Sequence, residues 1–499
     1  MKLKSLILGS VAAAGLSTAG YAADLGVLTS LDVCDALGLS GLTISSDTNC
    51  LQLSGGVSYE FITGDYRTEA PAAGTFDGNR NVSIQNAGSD WATKVEAWLK
   101  AVGTADSDFG PAKAVIKIKE VDLTRVNNTV AGPAADNDGE RVGLYIDEAY
   151  VSVGDTTVLM AGKKSSIANV GDDAPFNFLG LFNSDAIDGK GVGIDGDDTR
   201  LGGHSIQVVS DLGNGVNVGV GLENINDETP NAGAGAVPVV FGANTADLAT
   251  RQNAVNASRA GTLVGVVSYA GEGITAHLTG LGFGVLDGDI QEWAVHAGAT
   301  GTFDAFKVRG AVAYRENFKG TTADVLNALA SVEGTFDLFK IALSAEVANV
   351  RNAPANVGTA TDPGTGNVGD YTDYGFGGSV GVNVSEGVDI NLGARYFFDD
   401  VNTRIGDDKS TWQVAAQIVA AVTETIKVTG EVGGYFGNAI ADNNYVAGTN
   451  PTGYRNDSVF YGSAELAWAP GGGFTSSLKG ELNSESAYKV TFKAAKSFE

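Results

Sequence analysis

The sequence predicts an all-β protein: a transmembrane, antiparallel, up-and-down β-barrel with one loop folded into its interior. Three observations predict this class. Strand-like segments alternate apolar and polar residues, the gaps between them alternate long and short, and a hairpin-sized repeat is present. Beyond the N-terminus no stretch has the roughly 18 consecutive apolar residues that a membrane-spanning helix needs. We therefore expect strands, not helices, to cross the membrane.

The segment Asp304–Arg315 shows the alternation most clearly. One row of alternate residues is apolar or small, with an aromatic at each end: Phe306, Val308, Gly310, Val312 and Tyr314. The other row carries cations: Lys307, Arg309, Ala311, Ala313 and Arg315. A period of two places these rows on opposite faces of a strand. Terminal aromatics on a lipid-facing row and a polar row toward water are typical of an outer-membrane strand.

A repeat supports hairpins as the building unit. The segment Gly301–Lys307 recurs 33 residues later as Gly334–Lys340. That spacing matches two strands and their connections. Two copies alone are also compatible with a β-sandwich.

The gaps between strands give the count and the orientation. About twenty strand-like segments follow Leu51, and splitting or merging errors leave 16 to 20 strands open. The long, polar gaps are 67–90, 124–141, 164–200, 225–258, 351–372, 399–410 and 437–456. The short ones include 154–155, 212–214, 386–387, 423–424 and 470–472. Short turns on the periplasmic side and long loops outside are the asymmetry of such barrels.

The N-terminus predicts export. Lys2 and Lys4 precede an apolar stretch from Leu6 to Leu16, and a small-x-Ala site ends at Ala22. This pattern predicts a signal peptide over residues 1–22, because a membrane anchor needs a longer apolar run. Strands in an exported chain indicate the outer membrane of a Gram-negative bacterium.

The charge excludes one class of partner. The net charge is −27, and residues 1–22 hold two lysines and no acid, so the mature chain carries −29. Such a surface repels nucleic acid. Diffuse binding of divalent cations and adaptation to a saline habitat both remain open as its cause.

Cys34 and Cys50 are the only cysteines. An even count in an oxidising compartment predicts one disulfide, which would contribute about 3 kcal/mol by the chain-entropy model. No histidine lies nearby to support a metal site. We expect residues 23–50 to form an N-terminal segment closed by this bond, and residues 51–499 to form the barrel.

Several lysines fall on the rows predicted to face the lumen. A solvated outer face is the alternative for any one of them. As a group they predict the basic side of a pore: Lys94, Lys100, Lys113, Lys117, Lys119 and Lys163.

The gap 164–200 differs from the others because it contains an apolar run, 175–182. An exposed loop would not tolerate this run, so we expect it to fold inward. Its predicted anchors on the inner wall are Phe176, Phe178, Leu181 and Phe182, and its predicted pore-facing acids are Asp172, Asp173, Asp185 and Asp188. Acids opposite lysines in a narrow, water-filled constriction make a selectivity filter. A solvated loop or a loose calcium site is the alternative, but Asp195–Asp198 lacks the EF-hand spacing, so no metal is predicted.

The last strand closes the barrel. Alternate residues from Tyr488 to Phe498 form a lipid-compatible row. Pairing of this strand with the first would leave no exposed edge, as a membrane requires.

Four motifs carry a family resemblance: Cys34–Ala36, Thr48–Leu51, Gly55–Tyr59 and Ile146–Val151. They resemble the alphaproteobacterial porin family, the general porins of rhizobia and brucellae. The resemblance implies a 16-stranded barrel, usually a homotrimer, that passes small hydrophilic solutes, with 164–200 as its third loop. For an outer-membrane barrel we also expect contact with lipid and lipopolysaccharide, and a barrel-assembly machinery that reads the C-terminal strand ending at Phe498.

We therefore predict a passive porin without cofactor, mildly cation-preferring because of its acidic loops. The alternative is a secreted or surface-exposed β-rich adhesin or calcium-binding structural protein, which predicts short tandem repeats that are not seen. An outer-membrane enzyme is a third class. The only histidines, His204, His277 and His296, form no recognisable catalytic triad pattern, so no catalytic residue is predicted.

Overall fold

The computed structural model describes residues 32–64, 90–126, 141–181, 201–225, 261–288, 290, 292–316, 324–353, 369–399, 409–441, 454–484 and 488–499. These described residues include one short α-helix, α1 (Asp32–Ala36), a 3-10 turn at Val285–Asp287, and 21 strands. Within this described part no helix has the length and hydropathy needed to cross a membrane. The predicted signal peptide, residues 1–22, lies outside the described residues.

The first eleven strands are β1 (Thr43–Ser45), β2 (Asn49–Gly64), β3 (Asp90–Ala105), β4 (Ala112–Val126), β5 (Arg141–Gly154), β6 (Thr157–Lys164), β7 (Gly203–Gly213), β8 (Val216–Glu223), β9 (Thr262–Gly271), β10 (Ile274–Phe283) and β11 (Glu292–Phe303). The remaining ten are β12 (Phe306–Glu316), β13 (Asp324–Thr335), β14 (Phe339–Ala353), β15 (Gly369–Ser385), β16 (Val388–Asp399), β17 (Lys409–Ala421), β18 (Ile426–Ala441), β19 (Tyr454–Gly471), β20 (Phe474–Asn483) and β21 (Tyr488–Phe498).

Strands β2 to β21 form a closed barrel of 20 strands. Each pairs antiparallel with the next, and β21 pairs with β2 from Gly55 opposite Phe498 to Gly64 opposite Lys489. The predicted fold class is confirmed. The strand number matches the segment count of about twenty and exceeds the 16 that the family resemblance implies.

The two faces of the barrel wall follow the predicted alternation. On β12, Phe306, Val308 and Val312 are exposed on the outer face. The neighbouring inward residues Ala311 and Arg315 are buried inside the barrel. An apolar outer surface is stable only against lipid. The alternation of apolar and polar rows and the closure of the sheet therefore both indicate a barrel that lies in a membrane.

Aromatic side chains cluster near both ends of the strands. Around the short turns, Phe336 contacts Phe306 and Phe339 at centroid distances of 6.0 and 4.8 Å. Near the opposite end, Tyr396 contacts Trp412 at 4.7 Å. These are the positions of the two aromatic girdles that mark the membrane boundaries in such barrels.

Turn lengths divide the barrel ends as predicted. Two-residue connections, such as 272–273, 304–305, 386–387 and 472–473, all lie at one end. Asp304 adopts a φ of 52°, a left-handed conformation that Asp tolerates in tight turns. The connections that join the strands at the other end are mostly longer.

The N-terminal segment lies at the short-turn end. Cys34 in α1 and Cys50 in β2 form the predicted disulfide, which is confirmed. Strand β1 pairs with the start of β2, and a Cβ on Gly41 would lie 3.2 Å from the carbonyl carbon of Glu499. The segment therefore packs beside the end of β21.

Removal of the disulfide by Cys34→Ser with Cys50→Ser should loosen this segment but leave the barrel closed. The closing pairs between β2 and β21 begin at Gly55, beyond Cys50. The bond's contribution of about 3 kcal/mol would be lost from the segment alone. Hydrogen exchange followed by mass spectrometry should show faster exchange in residues 32–48 and unchanged exchange in β2–β21 pairs; equal exchange in 32–48 would contradict this.

Candidate functional site

The connection between β6 and β7, residues 165–202, is called L3 below; the structure describes its residues 165–181 and 201–202. L3 leaves the wall after Lys164 and enters the barrel. Its described residues contact the inward rows of β7 to β13 and of β15 and β16. The fold class predicted from the sequence includes an inward-folded loop, and L3 is that loop.

The first part of L3 packs on apolar side chains and glycines. Ile167 and Val170 pack against a buried cluster that consists of Leu201, near the other end of L3, and the inward wall residues Val264, Leu281, Phe283 and Ala294. The Cδ1 atom of Ile167 would lie 3.1 Å from a Cβ on Gly219 and 3.3 Å from one on Gly221. Inward glycines on β8 therefore make room for the loop.

Main-chain carbonyls of L3 accept hydrogen bonds from β10. Thr279 Oγ1 donates to the carbonyl of Asn169 at 2.7 Å. His277 Nε2 lies 2.6 Å from the carbonyl oxygen of Gly171, so Nε2 carries the hydrogen in this contact. A loop inside a barrel must satisfy its backbone groups, and these side chains do so.

Asp172 is bound to the wall. Its Oδ1 accepts hydrogen bonds from Thr275 Oγ1 at 3.0 Å and Thr300 Oγ1 at 2.5 Å, and Arg309 Nη2 lies 3.7 Å away. Its side chain is 16 % exposed. The carboxylate therefore fixes the loop instead of projecting freely across the lumen toward the lysines.

Arg309 joins L3 to β12. Its Nη1 donates to the carbonyl of Ala174 at 2.7 Å, and its Nε donates to Thr300 Oγ1 at 2.9 Å. The ring of Phe176 lies 4.7 Å from the Arg309 guanidinium and 4.9 Å from Lys307 Nζ. The cationic row of β12 thus holds the loop through hydrogen bonds and cation–π contacts.

The end of the described loop reaches β13 and β16. The backbone N–H of Phe176 donates to Ser331 Oγ at 3.0 Å. Leu181 is fully buried with Ala311 and Leu329. A Cβ on Gly393 would lie 2.6 Å from Cε1 of Phe178, so the ring covers a position without a side chain.

The wall from β20 through β21 and β2 to β5 carries charges in pairs. Their shared feature is a lysine within ion-pair distance of a carboxylate on the same strand, on an adjacent strand or, for Lys100, two strands away. The pairs are Lys479 and Lys489 with Glu481 (2.8 and 3.1 Å), Lys493 with Glu60 (3.4 Å), Lys94 and Lys119 with Glu96 (3.3 and 3.0 Å), Lys117 with Asp147 (2.6 Å) and Lys100 with Glu148 (3.2 Å).

A hydrogen-bonded ladder lies between this wall and the part of L3 around Phe178. Arg395 Nε donates to Gln413 Oε1 at 2.6 Å, Gln413 Nε2 to Tyr461 Oη at 2.8 Å, and Tyr461 Oη to Glu431 Oε1 at 2.9 Å. Gln417 Nε2 also donates to Glu431 Oε2 at 2.9 Å. The ladder continues the polar lining from β16 to β19.

The structure shows which of the predicted lysines lie on inward rows. Lys94, Lys100, Lys117 and Lys119 are on the inward rows and in ion pairs. Lys113 shares the inward row of β4 with Lys117 and is exposed near the short-turn end.

Lys163 requires a correction. It shares its row on β6 with Leu159, which is exposed on the outer face. Lys164 takes the inward position instead, with Nζ 5.3 Å from the centre of the Tyr150 ring. The sequence assigned a lumen position to the wrong member of a lysine pair, because adjacent residues of a strand point to opposite faces.

The predicted loop residues divide between described and undescribed positions. Phe176, Phe178 and Leu181 contact the inner wall as stated above. Asp172 contacts the wall, and Asp173 is half-buried beside it. Phe182, Asp185 and Asp188 lie outside the described residues.

Burial changes the acidity of Asp173. It raises the pKa of this carboxyl above the ordinary value, as does the neighbouring Asp172, while a hydrogen bond to its own backbone and the positive charge of Arg309 act in the opposite direction. Asp173 therefore loses its charge at a higher pH than an exposed aspartate does.

Sequence reasoning missed the wall residues that receive L3, among them Glu223, Gln207, His277, Thr300 and Ser331. Each is an inward residue of a strand. Glycines at inward positions were an available signal, since Gly221 and Gly298 stand on rows where larger side chains would otherwise fill the interior. The sequence of a single strand does not show which loop its inward residues contact.

A 20-stranded closed barrel with an apolar outer face, a charged lumen and an inward loop is the architecture of an outer-membrane channel. The comparisons agree. The model of the porin subfamily matches residues 30–494, so the chain belongs to this porin family. The protein is located in the outer membrane of a Gram-negative bacterium.

A comparison with solved structures found outer-membrane proteins at low identity and low TM-score. The anion-selective porin from Comamonas acidovorans is 12 % identical with a TM-score of 0.37, and the match covers 90 % of this chain and all of that one. OccAB4 of Acinetobacter baumannii is 10 % identical with a TM-score of 0.45, covering 90 % of this chain and 98 % of that one. A search of curated protein sequences gave no match.

Substitution of Gly298 by alanine should displace L3. The new Cβ would lie 2.8 Å from the carbonyl oxygen of Gly171 and 3.0 Å from Cβ of Asp172, so the loop must move. Such overpacking costs about 1–3 kcal/mol. Single-channel recording should show an altered conductance. Gly280→Ala, on β10 with nothing within 4 Å of its added Cβ, is the matched control. Equal conductance of the two variants would contradict the contact.

Asp173→Asn should remove one titrating carboxyl group from the channel and thereby change how ion selectivity depends on pH. Because the pKa of Asp173 is raised, its charge disappears before those of exposed aspartates as the pH falls. Reversal potentials in a salt gradient, measured from pH 7 to pH 4, should show ion selectivity changing at a higher pH in the wild type than in Asp173→Asn. Identical pH profiles would show that Asp173 does not contact the ion path.

Proposed function

We propose that the protein is a general porin, a water-filled channel through which small hydrophilic solutes and ions diffuse passively, with a mild preference for cations. One observation carries this proposal. The described part of L3 lies along the wall from β7 to β16, and the opposite wall keeps solvent-exposed charges. Lys94 and Lys493, for example, are 43 % and 58 % exposed in their side chains.

The polar lining supports hydrophilic solutes. A solute that passes the paired lysines and carboxylates can exchange water hydrogen bonds for contacts with either charge. An apolar solute loses its water without compensation. We propose that Asp173, Asp185 and Asp188 form the acidic side of the constriction, and that Asp172 anchors the loop to the wall beside them. Its basic side would include Lys94, Lys100, Lys113, Lys117 and Lys119.

The proposed cation preference rests on the negative charge of the long connections, which lie outside the constriction. The chain has a net charge of −27, and its long connections are rich in aspartate. Acidic loops around a channel mouth raise the local concentration of cations, and salt screens this effect. The paired wall contributes less, because each lysine lies within 3.4 Å of a carboxylate.

The same proposal includes the partners. We expect a homotrimer embedded in outer-membrane lipid and lipopolysaccharide, exported by residues 1–22. The barrel-assembly machinery would recognise β21 near Phe498, an exposed aromatic on the outer row. The motifs around Cys34 and Cys50 favour grouping with the alphaproteobacterial porins. No cofactor and no catalytic reaction belong to this proposal.

Single-channel recording in planar bilayers tests the function directly. Purified protein should give large conductance steps, in groups of three for a trimer. The reversal potential should indicate cation preference that increases as salt is lowered, since screening weakens. Folded β-structure without conductance would refute a channel, and anion preference at low salt would refute the selectivity alone.

A further inference from the structure

Glu223, the last residue of β8, contacts both ends of L3. It is completely buried, and so is its neighbour Gln207 on β7. No sequence pattern marked either residue, and neither is part of the charged lumen wall. Both side chains point inward at the level where the chain leaves β6 and returns to β7.

The two carboxylate oxygens bind different ends of the loop. Oε1 accepts a hydrogen bond from the backbone N–H of Ile167 at 2.9 Å, just after L3 leaves the wall. Oε2 accepts one from the backbone N–H of Gly202 at 2.7 Å, just before L3 rejoins the wall. One side chain therefore joins residues that are 35 positions apart in the sequence.

Gln207 completes the arrangement. Its amide donates to Glu223 Oε1 at 3.0 Å and to the carbonyl of Ser165 at 2.9 Å. A second link lies in the main chain, where the N–H of Asn224 donates to the carbonyl of Gly202 at 2.7 Å. Three N–H donors directed at one buried carboxylate are a strong, charge-assisted arrangement.

We propose that Glu223 is a positioning residue that closes the base of L3 and thereby sets the cross-section of the channel. The consequence for permeation rests on the proposed porin function, whereas the contact with both loop ends does not. Without Glu223, the loop remains attached through Asp172, which Thr300 and Arg309 bind, and through the buried Leu181. Its first residues then gain freedom to move within the lumen.

Glu223→Gln tests the proposal with almost no change in volume. An amide has one acceptor oxygen, so its NH₂ group must face the N–H of either Ile167 or Gly202. One loop end is released. We expect the single-channel conductance to change by about twofold, with increased open-channel noise and an altered size limit for sugars in liposome swelling.

A second variant and a control separate this effect from general damage. Gln207→Leu removes the bonds to Ser165 and Glu223 but keeps the carboxylate, so we expect a smaller change in the same direction. Glu481→Gln removes a lumen carboxylate on β20 that binds Lys479 and Lys489 and has no part in L3. Its rate of trypsin cleavage at the base of L3, described below, should match that of the wild type. Heat-dependent migration in gels checks that each barrel is closed.

Trypsin provides a readout that does not require conductance. Lys164 immediately precedes L3, and cleavage there needs local opening of the loop base. Cleavage after Lys164 should be about tenfold faster in Glu223→Gln than in wild type or Glu481→Gln. If conductance, size limit and cleavage rate are all unchanged in Glu223→Gln, the proposal is wrong. If Glu223→Gln does not assemble, unchanged values in Gln207→Leu overturn it equally.

The two proposals fail differently. A wild-type protein without conductance refutes the porin function, while accelerated cleavage in Glu223→Gln would still support the role of Glu223. Normal wild-type conductance, together with unchanged conductance, size limit and cleavage rate in Glu223→Gln, refutes the positioning role alone.

Discussion

Backbone hydrogen bonding in lipid is the constraint on which this structure depends. An unpaired N–H or C=O in hydrocarbon costs several kcal/mol, so a sheet that crosses the membrane must have no open edge. The pairing of β2 with β21 meets this requirement. Closure of 20 strands also produces an interior too wide for side chains of the wall to fill. Something else must occupy that space, and here L3 occupies part of it.

L3 is compatible with the interior because the wall supplies two things. Inward glycines, such as Gly221, Gly298 and Gly393, leave room for its side chains and backbone. Polar side chains at the same levels satisfy its main-chain groups, as His277 does for Gly171. Packing and hydrogen bonding act together, since a loop backbone pressed onto an apolar wall would lose its water without replacement. The loop position is therefore a property of many strands at once.

Charge is distributed unequally around the lumen. On the side covered by L3, Arg309 is used to hold the loop and Asp172. On the open side, lysines and carboxylates of the same or neighbouring strands form short ion pairs that remain partly solvated. Such pairs contribute little stability, but they keep the lining strongly hydrated. In the proposed channel this lining favours dipolar solutes, whereas the acidic loops control the ions that reach it.

The sequence by itself determined the class of fold, because a period of two and the alternation of turn lengths are local properties. The disulfide followed from the only two cysteines. The apolar run around Phe178 was sufficient to predict an inward loop, since it could not lie in water. Register was not available from sequence: Lys163 and Lys164 differ by one position and lie on opposite faces. The tertiary structure alone decided the partners of L3, because Glu223, Thr300 and Gly393 come from strands far apart in the chain and meet the loop only after the barrel closes.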